Sequence, residues 1–517
     1  MAHEGYGVHF HSILDREPGA GSAAGSAREP GIFHDLHLDQ VVEAAIAGRE
    51  EYDLESFFHT PLSSVAEVEY RQAVIRDLQA HSIRSHVTSF ADSMRQMRAE
   101  LKQVEKSYYE QQKQRWFLQA VDTYCVAVGC LARDLMLGEV KSEGLGLLRD
   151  YLSCYVTSTP FRTLADETRR LKSDLAAIHY RLHIHGPRIE VSRYESAPDY
   201  GEEIVRTFEK FRQGASQNYE FDSPADSYMN HVEAAVLERV ALLFPDTFGA
   251  LGRFCEEHGG YLDQVLQRFD REVQFYLAVL ELFERLGRGG LAFCLPKVSD
   301  SKDVDCHGVF DVALAIRLQA DAGRLILNDF HLRTPERILV VSGANQGGKT
   351  TFARTVGQLH YLASLGCPVG ASEARLFLFD QLYTHFEREE DLQTLRSKLE
   401  DDLVRIHAIL ERATPRSVLV MNESFSSATL RDALFLGEQV MRKVMALDLV
   451  CVFVTFLDEL STLSEKTVSM VSTVKPEDPT QRSFKVLRRP ADGLAYAAVI
   501  AEKYHLTYES VKRRVAS

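Results

Sequence analysis

The order of apolar and polar residues divides the chain into two textures. From about Leu38 to Lys172, apolar residues recur at three- and four-residue steps between charged ones. The stretch "HVTSFADSMRQMRAELKQVEKSYYEQQKQRWFLQAVDTYCVAVGCLARDL" is typical, and proline and glycine are almost absent from it. That spacing predicts long helices packed as a bundle. "YRLHIHGPRIEVSRYES" interrupts it, and alternation on both sides of Gly186-Pro187 predicts a short β-hairpin near 180–196. Helical spacing resumes from about Glu202 and runs to Leu286, with a break at "HGGYLD". After "GRGG" (Gly287 to Gly290), short apolar strands alternate with helices to the end of the chain, the α/β signature.

A chain of 517 residues is too long for one ordinary core. Three segments are expected. Residues 1–32 form a flexible N-terminal segment that includes the small, polar run "REPGAGSAAGSAREPG"; 33–290 form a helical core and lever domain; 291–517 form an α/β domain. With 45% apolar and 26% charged residues, the composition is that of a soluble globular protein. No apolar run of about 18 residues suggests a membrane span, and "MAHEGYGVHFHSIL" does not read as a signal peptide. Eight scattered cysteines without a CxxC pair fit a reduced, cytoplasmic setting. Cys294, Cys306 and His307 have the wrong spacing for a zinc finger, and His183 and His185 read as an exposed strand face without a third ligand. A net charge of −15 argues against a generally basic, DNA-coating surface but leaves room for a local basic patch.

The candidate chemistry lies in "VVSGANQGGKTTFARTVG". Residues Gly343 to Thr350 match the phosphate-loop pattern G-x-x-x-x-G-K-[ST] in full, after the apolar strand "RILVVS" and before a helical stretch. Gly343, Gly347 and Gly348 let backbone N–H groups turn toward phosphates, and the helix N-terminus adds partial positive charge. Lys349 is expected to reach the β- and γ-phosphates of ATP, and the Thr350 hydroxyl to ligate Mg²⁺. Asn345 and Thr351 complete the candidate nucleotide-binding set of the loop. Further on, "SVLVMNESFSS" is an apolar strand ending in polar residues. Asn422 holds its metal-side position and Glu423 its water-side position, where a carboxylate acts as general base or orients the attacking water. A third strand, "LVCVFVTFLDEL", follows a helix at βαβ spacing. Strand, loop, helix, inserted helix, strand with Glu, helix and strand make the core of an ATP-binding-cassette-type ATPase.

These residues resemble the MutS family of DNA mismatch repair ATPases. "GANQGGKTTFARTVG" looks like that family's phosphate loop, "LNDFHLRTPERILVVSG" like its approach strand, and "GCPVGASEARLFLFDQLYTHF" like the segment leading to its signature helix. "DGLAYAAVIAEKYHLTYESVKRRV" resembles its closing helix-turn-helix, expected at about 490–517 and used there for dimer contact. The likeness is strong over about Leu291 to Ser517 and fainter over Phe33 to Arg285, where "FFHTPLSSVAEVEYRQAVIRDL" looks like the family's helical core.

The resemblance implies further roles. "DLQTLRSKLEDDLVRIHAIL" matches the signature helix, with Leu392, Leu395, Leu399, Leu403, Ile406 and Leu410 on one amphipathic face. Ser397 falls at the signature serine, which in the family approaches the γ-phosphate held by the other subunit. A homodimer with shared ATP sites follows. Leu325 and Ile326 fall where the family packs apolar side chains on adenine. Two departures stand out: Asn422 replaces the family's metal-side Asp, and Phe456 replaces its switch histidine, so slow hydrolysis is expected. The match begins almost at the helical core and the DNA clamp is reduced to the hairpin. The expectation is therefore a short MutS-like ATPase, a dimeric clamp acting on DNA in repair or recombination rather than in classical mismatch recognition. The alternative is an ATP-switched scaffold that binds protein and not DNA.

Overall fold

The structure, a computed structural model, describes residues 10–17, 29–194, 229–318, 322–387, 397–475, 478–491 and 512. Its chain falls into two compact units.

Among the described residues, the first unit comprises those in 82–139 and 147–270. It is built mainly from helices α5 (His81–Lys106), α6 (Glu110–Leu137), α7 (Glu143–Thr157), α8 (Thr159–Ala176), α9 (His231–Leu243), α10 (Pro245–Glu257) and the first turns of α11 (Gln264–Gly287). In α5 the buried side chains Ile83, Val87, Phe90, Met94 and Met97 recur at three- and four-residue steps, so one stripe faces the core. α6 answers with Leu118, Val121, Tyr124, Val128, Leu131 and Leu135. Two polar pairs lie inside this core: the hydroxyls of Tyr124 and Tyr155 meet at 2.9 Å, and Thr123 donates to the buried Glu100 at 2.8 Å. Strands β1 (Tyr180–His185) and β2 (Arg188–Arg193) pair antiparallel across Gly186-Pro187, with exposed side chains along β1. The His183 and His185 rings lie 4.4 Å apart on that strand.

Among the described residues, the second unit comprises those in 10–81, 140–146 and 271–517. Its centre is a six-stranded sheet in the order β12-β11-β6-β10-β9-β8, formed by β6 (Ile338–Gly343), β8 (Leu382–Phe386), β9 (Val418–Asn422), β10 (Val450–Val454), β11 (Thr467–Lys475) and β12 (Asp478–Arg488). All pairs are parallel except the edge pair β11–β12. Every residue of β9 and β10 is buried, as expected of parallel strands covered on both faces. On one face, Ile406, Ile409 and Leu410 of α14 (Lys398–Arg412) and Val440, Met441 and Val444 of α15 (Leu430–Leu447) pack in one cluster with Leu419, Met421, Cys451 and Phe453. Burial of each such side chain is worth roughly 1.5–3 kcal/mol. Helix α13 (Lys349–Ser364) packs against β6, β9 and β10. Beside this lies a four-stranded sheet, β3-β7-β4-β5, of β3 (Lys297–Ser299), β4 (Val304–Val309), β5 (Asn328–Leu332) and β7 (Glu373–Phe377), with the short helix α12 (Val312–Arg317).

The compact units do not follow the division of the chain at residue 290. Residues 33–81 lie with the α/β unit. Helices α1 (Ile32–Leu36), α2 (Leu38–Ile46), α3 (Glu55–Phe58) and α4 (Val65–Gln79) belong there. The physical reason is the covering of α13. Gln358 donates to the Leu36 carbonyl at 2.8 Å, Arg354 to the Asp35 carbonyl at 3.1 Å, and Tyr361 to the Phe58 carbonyl at 2.9 Å. Nor does a flexible segment run from 1 to 32 throughout. Ile13 and Leu14 are buried, Tyr276 donates to the Ile13 carbonyl at 2.6 Å, and Tyr70 donates to the Ser12 carbonyl at 2.7 Å. Most of the Gly/Ala/Ser run lies outside the described residues, as do Leu392, Leu395 and almost all of the helix-turn-helix expected at 490–517. Among the described residues, no helix is long and apolar enough to cross a membrane, and no cluster of three or more His, Cys, Asp or Glu could hold a metal ion.

Candidate functional site

The loop between β6 and α13 is shaped by close backbone approach. Gly343 has φ 106°, and a Cβ there would stand 2.5 Å from the Ser472 carbonyl oxygen. A Cβ on Gly347 would collide with the Ser472 hydroxyl. That hydroxyl donates to the Gly347 carbonyl at 2.7 Å, and Arg482 Nε donates to the Asn345 carbonyl at 3.0 Å. The β11–β12 hairpin thus clasps the loop from outside. Gly348, at φ 91°, caps α13, whose first turn carries Lys349, Thr350 and Thr351.

Lys349 is 4% exposed. Its ammonium donates to the carbonyls of Gly343 at 3.0 Å and Ala344 at 3.4 Å, and to Asn345 Oδ1 at 3.0 Å. Burial pulls its pKa below the ordinary lysine value, and the Glu423 carboxylate works the other way. The second strand end meets the loop at Thr350, whose hydroxyl donates to Asn422 Oδ1 at 2.9 Å. Glu423 follows in the left-handed region, φ 52°, and Phe425 does so at φ 66° while fully buried. A bulky residue held there costs on the order of 1–3 kcal/mol, so its surroundings must enforce the turn.

A cleft of about 370 Å³ runs from this corner. Its lining is part polar, with Lys349, Thr350, Thr351, Gln346 and Glu423, and part apolar, with Leu325, Ile326, Phe310, Leu314, Phe352 and Phe484, and Gly348 also borders it. Leu325, Ile326, Gly348, Lys349, Thr350, Thr351 and Glu423 therefore meet in one cleft. Gly343, Asn345 and Gly347 shape the loop behind it, and Asn422 reaches it through Thr350. Ser397 is elsewhere: it is an exposed N-cap of α14, accepting from the Glu400 N–H at 3.3 Å. Phe456 is 46% exposed and does not line the cleft. Ser472, Arg482 and Phe484 escaped the sequence reading, because they reach the loop from a hairpin far downstream with no motif of their own.

The hard-oxygen pair of Thr350 and Asn422 beside the lysine suits Mg²⁺ carried in with phosphate, since that ion takes few protein ligands. Fold and site together define a mixed α/β protein with a glycine loop between strand and helix and a strand-end carboxylate facing it. The family description "MutS domain V" matches residues 339–501. Three similar proteins each bear the name DNA mismatch repair protein MutS. That of Erythrobacter litoralis is 30% identical over 185 residues, 36% of this chain and 21% of that protein. That of Granulibacter bethesdensis is 25% identical over 316 residues, 58% of this chain and 33% of that protein. That of Fervidobacterium nodosum is 23% identical over 263 residues, 50% of this chain and 30% of that protein. Residues 339–501 thus carry the likeness to MutS domain V, and the chain is similar to these MutS proteins over part of its length. It spans between a fifth and a third of the length of these relatives.

Proposed function

We propose that the chain binds ATP with Mg²⁺ and hydrolyses it, working as a dimeric clamp on DNA in repair or recombination. One observation carries the reading: the cleft joins the Lys349–Thr350 corner of the loop to the strand end holding Asn422 and Glu423. The backbone N–H groups of the loop and the first turn of α13 face phosphate. Lys349 exchanges its carbonyl partners for phosphate oxygens. Thr350 and Asn422 would hold Mg²⁺, which when bound would supply positive charge beside the phosphate oxygens. Because both ligands are neutral, the ion is held more weakly than by a carboxylate. Glu423 orients the attacking water and accepts its proton. Leu325, Ile326 and Phe484 enclose the base, and Ser397 completes the neighbouring subunit's site.

Lys349→Ala is the direct test. Loss of ATP turnover in the purified variant is expected; unchanged turnover would remove the assignment. A cytoplasmic location and a homodimer belong to the same reading. An ATP-switched protein-binding scaffold is favoured by one fact, the net charge of −15. Fluorescence anisotropy with duplex, junction and single-stranded DNA across a salt series separates the two. Affinity that falls steeply with salt supports the clamp, and no binding at low salt supports the scaffold.

A further inference from the structure

Behind the Glu423 turn runs a buried polar line that the phosphate chemistry does not use. His385, in β8, is 1% exposed. Its Nδ1 stands 2.9 Å from the Ser424 hydroxyl. Its Nε2 stands 3.5 Å from Asp402 Oδ1. Asp402 and Ser424 are buried too. Asp402 belongs to α14 and accepts from Arg405 Nη2 at 2.8 Å, while Arg405 Nη1 donates to the Phe386 carbonyl at 3.2 Å. Burial pushes the Asp402 pKa up, but His385 and Arg405 outweigh it and hold the carboxyl below its ordinary value.

The placement of this imidazole links two elements. Ser424 follows Glu423 directly, in the turn where Glu423 and Phe425 have positive φ. Asp402 lies on the helix that Ser397 caps. One ring therefore touches the turn carrying the water-side carboxylate and the helix carrying the candidate signature serine. The two sides are not equally tight. The Ser424 bond is short, whereas Nε2 makes no hydrogen bond among the described residues. At 3.5 Å the carboxylate stands just beyond the ordinary range of about 2.7–3.2 Å. A small approach of α14 to β8 would close the gap. With Nε2–H directed at Asp402, Nδ1 accepts from the Ser424 hydroxyl, and each bond polarises the other. Tightening on the α14 side would then tighten the hold on the turn.

We propose that His385 is a positioning residue that couples the seat of α14 to the orientation of the Glu423 turn. The proposal rests on the ATPase reading above. It predicts that cutting the link lowers the hydrolytic step while leaving nucleotide affinity in place, because the loop and the base pocket lie apart from it.

Three full-chain variants test it. Ser424→Ala removes the hydroxyl. His385→Asn keeps an amide near the Nδ1 position but cannot reach Asp402. Asp402→Asn keeps the shape and removes the charge. Each is measured for ATP affinity by fluorescence titration, for single-turnover hydrolysis by rapid quench, and for melting temperature. Affinity within about twofold of wild type and a rate about tenfold lower are expected for each. The double variant His385→Asn/Asp402→Asn should be no slower than His385→Asn alone, since both cut one link. A merely structural role would lower the melting temperature and leave the rate of the folded protein unchanged; that result, or additive losses in the double variant, overturns the proposal. If His385→Asn fails to fold, Ser424→Ala decides the question: a wild-type rate in that variant overturns the coupling. A wild-type chain that neither binds nor hydrolyses ATP defeats the ATPase reading itself, and the coupling with it.

Discussion

The Thr350 hydroxyl donates to the Asn422 side-chain oxygen across 2.9 Å, so the first turn of α13 and the end of β9 meet through a bond between two neutral groups. The pair suits a divalent cation by geometry but supplies no charge. Asn422→Asp keeps the shape and adds a negative charge, and charge count is a main lever on the affinity of such sites. The Mg²⁺ concentration giving half-maximal turnover should fall by at least about threefold. An unchanged Mg²⁺ titration would show that Asn422 does not face the metal.

Glu423→Gln tests the water-side role. The amide preserves shape and cannot accept a proton. ATP affinity should stay within a few-fold of wild type while single-turnover hydrolysis falls about tenfold or more, a loss of about 1.4 kcal/mol of transition-state stabilisation. A wild-type single-turnover rate would exclude Glu423 as base or water-positioning group.

Phe484 lines the cleft, from a strand the loop motif does not announce. Loss of an aromatic platform under a base costs about 1–3 kcal/mol, so Phe484→Ala should weaken ATP binding roughly 5- to 150-fold, with Phe484→Tyr close to wild type. Isothermal titration reads the difference, and equal affinities for all three proteins would place the base elsewhere.

Gly343→Ala should destabilise the second unit. The new methyl meets the Ser472 carbonyl at 2.5 Å on a residue whose φ is 106°. Overpacking and backbone strain each cost on the order of 1–3 kcal/mol. Thermal unfolding should start several degrees lower, with weakened ATP binding; an unchanged melting curve would mean that the hairpin yields freely.

Mixed variants test whether sites are shared between subunits. Lys349→Ala cannot hold ATP in its own loop, and Ser397→Ala cannot complete its neighbour's site. Each alone should be inactive, and mixing should recover part of the turnover once subunits exchange. Turnover per chain that stays constant from nanomolar to micromolar protein, with a monomer mass throughout in ATP, would refute the shared site.

What the sequence disclosed was mostly contiguous. Gly343 to Thr351 are one strand-loop-helix passage, and a buried parallel strand such as Val418–Asn422 announces itself as an unbroken apolar run that stops at Asn-Glu. Ser472 and Phe484 stayed hidden because an edge hairpin carries no pattern that says which loop it will clasp. His385 was invisible for a similar reason. In the row "LYTHF" a histidine looks like any strand residue, and only pairing with β9 brings it to Ser424. Residues 33–81 were legible as helices but not as partners, since an amphipathic stripe does not name the surface that covers it.

The bonds from Leu36, Asp35 and Phe58 to α13 bear on where this protein can be cut. A fragment starting at residue 291, the natural choice from the change in sequence texture, would strip α13 of a protein cover and leave Arg354, Gln358 and Tyr361 to find water instead. The segment before residue 81 serves as the missing wall of the α/β unit, so an excised version must carry it, joined by a tether across the removed helices or supplied as a separate peptide.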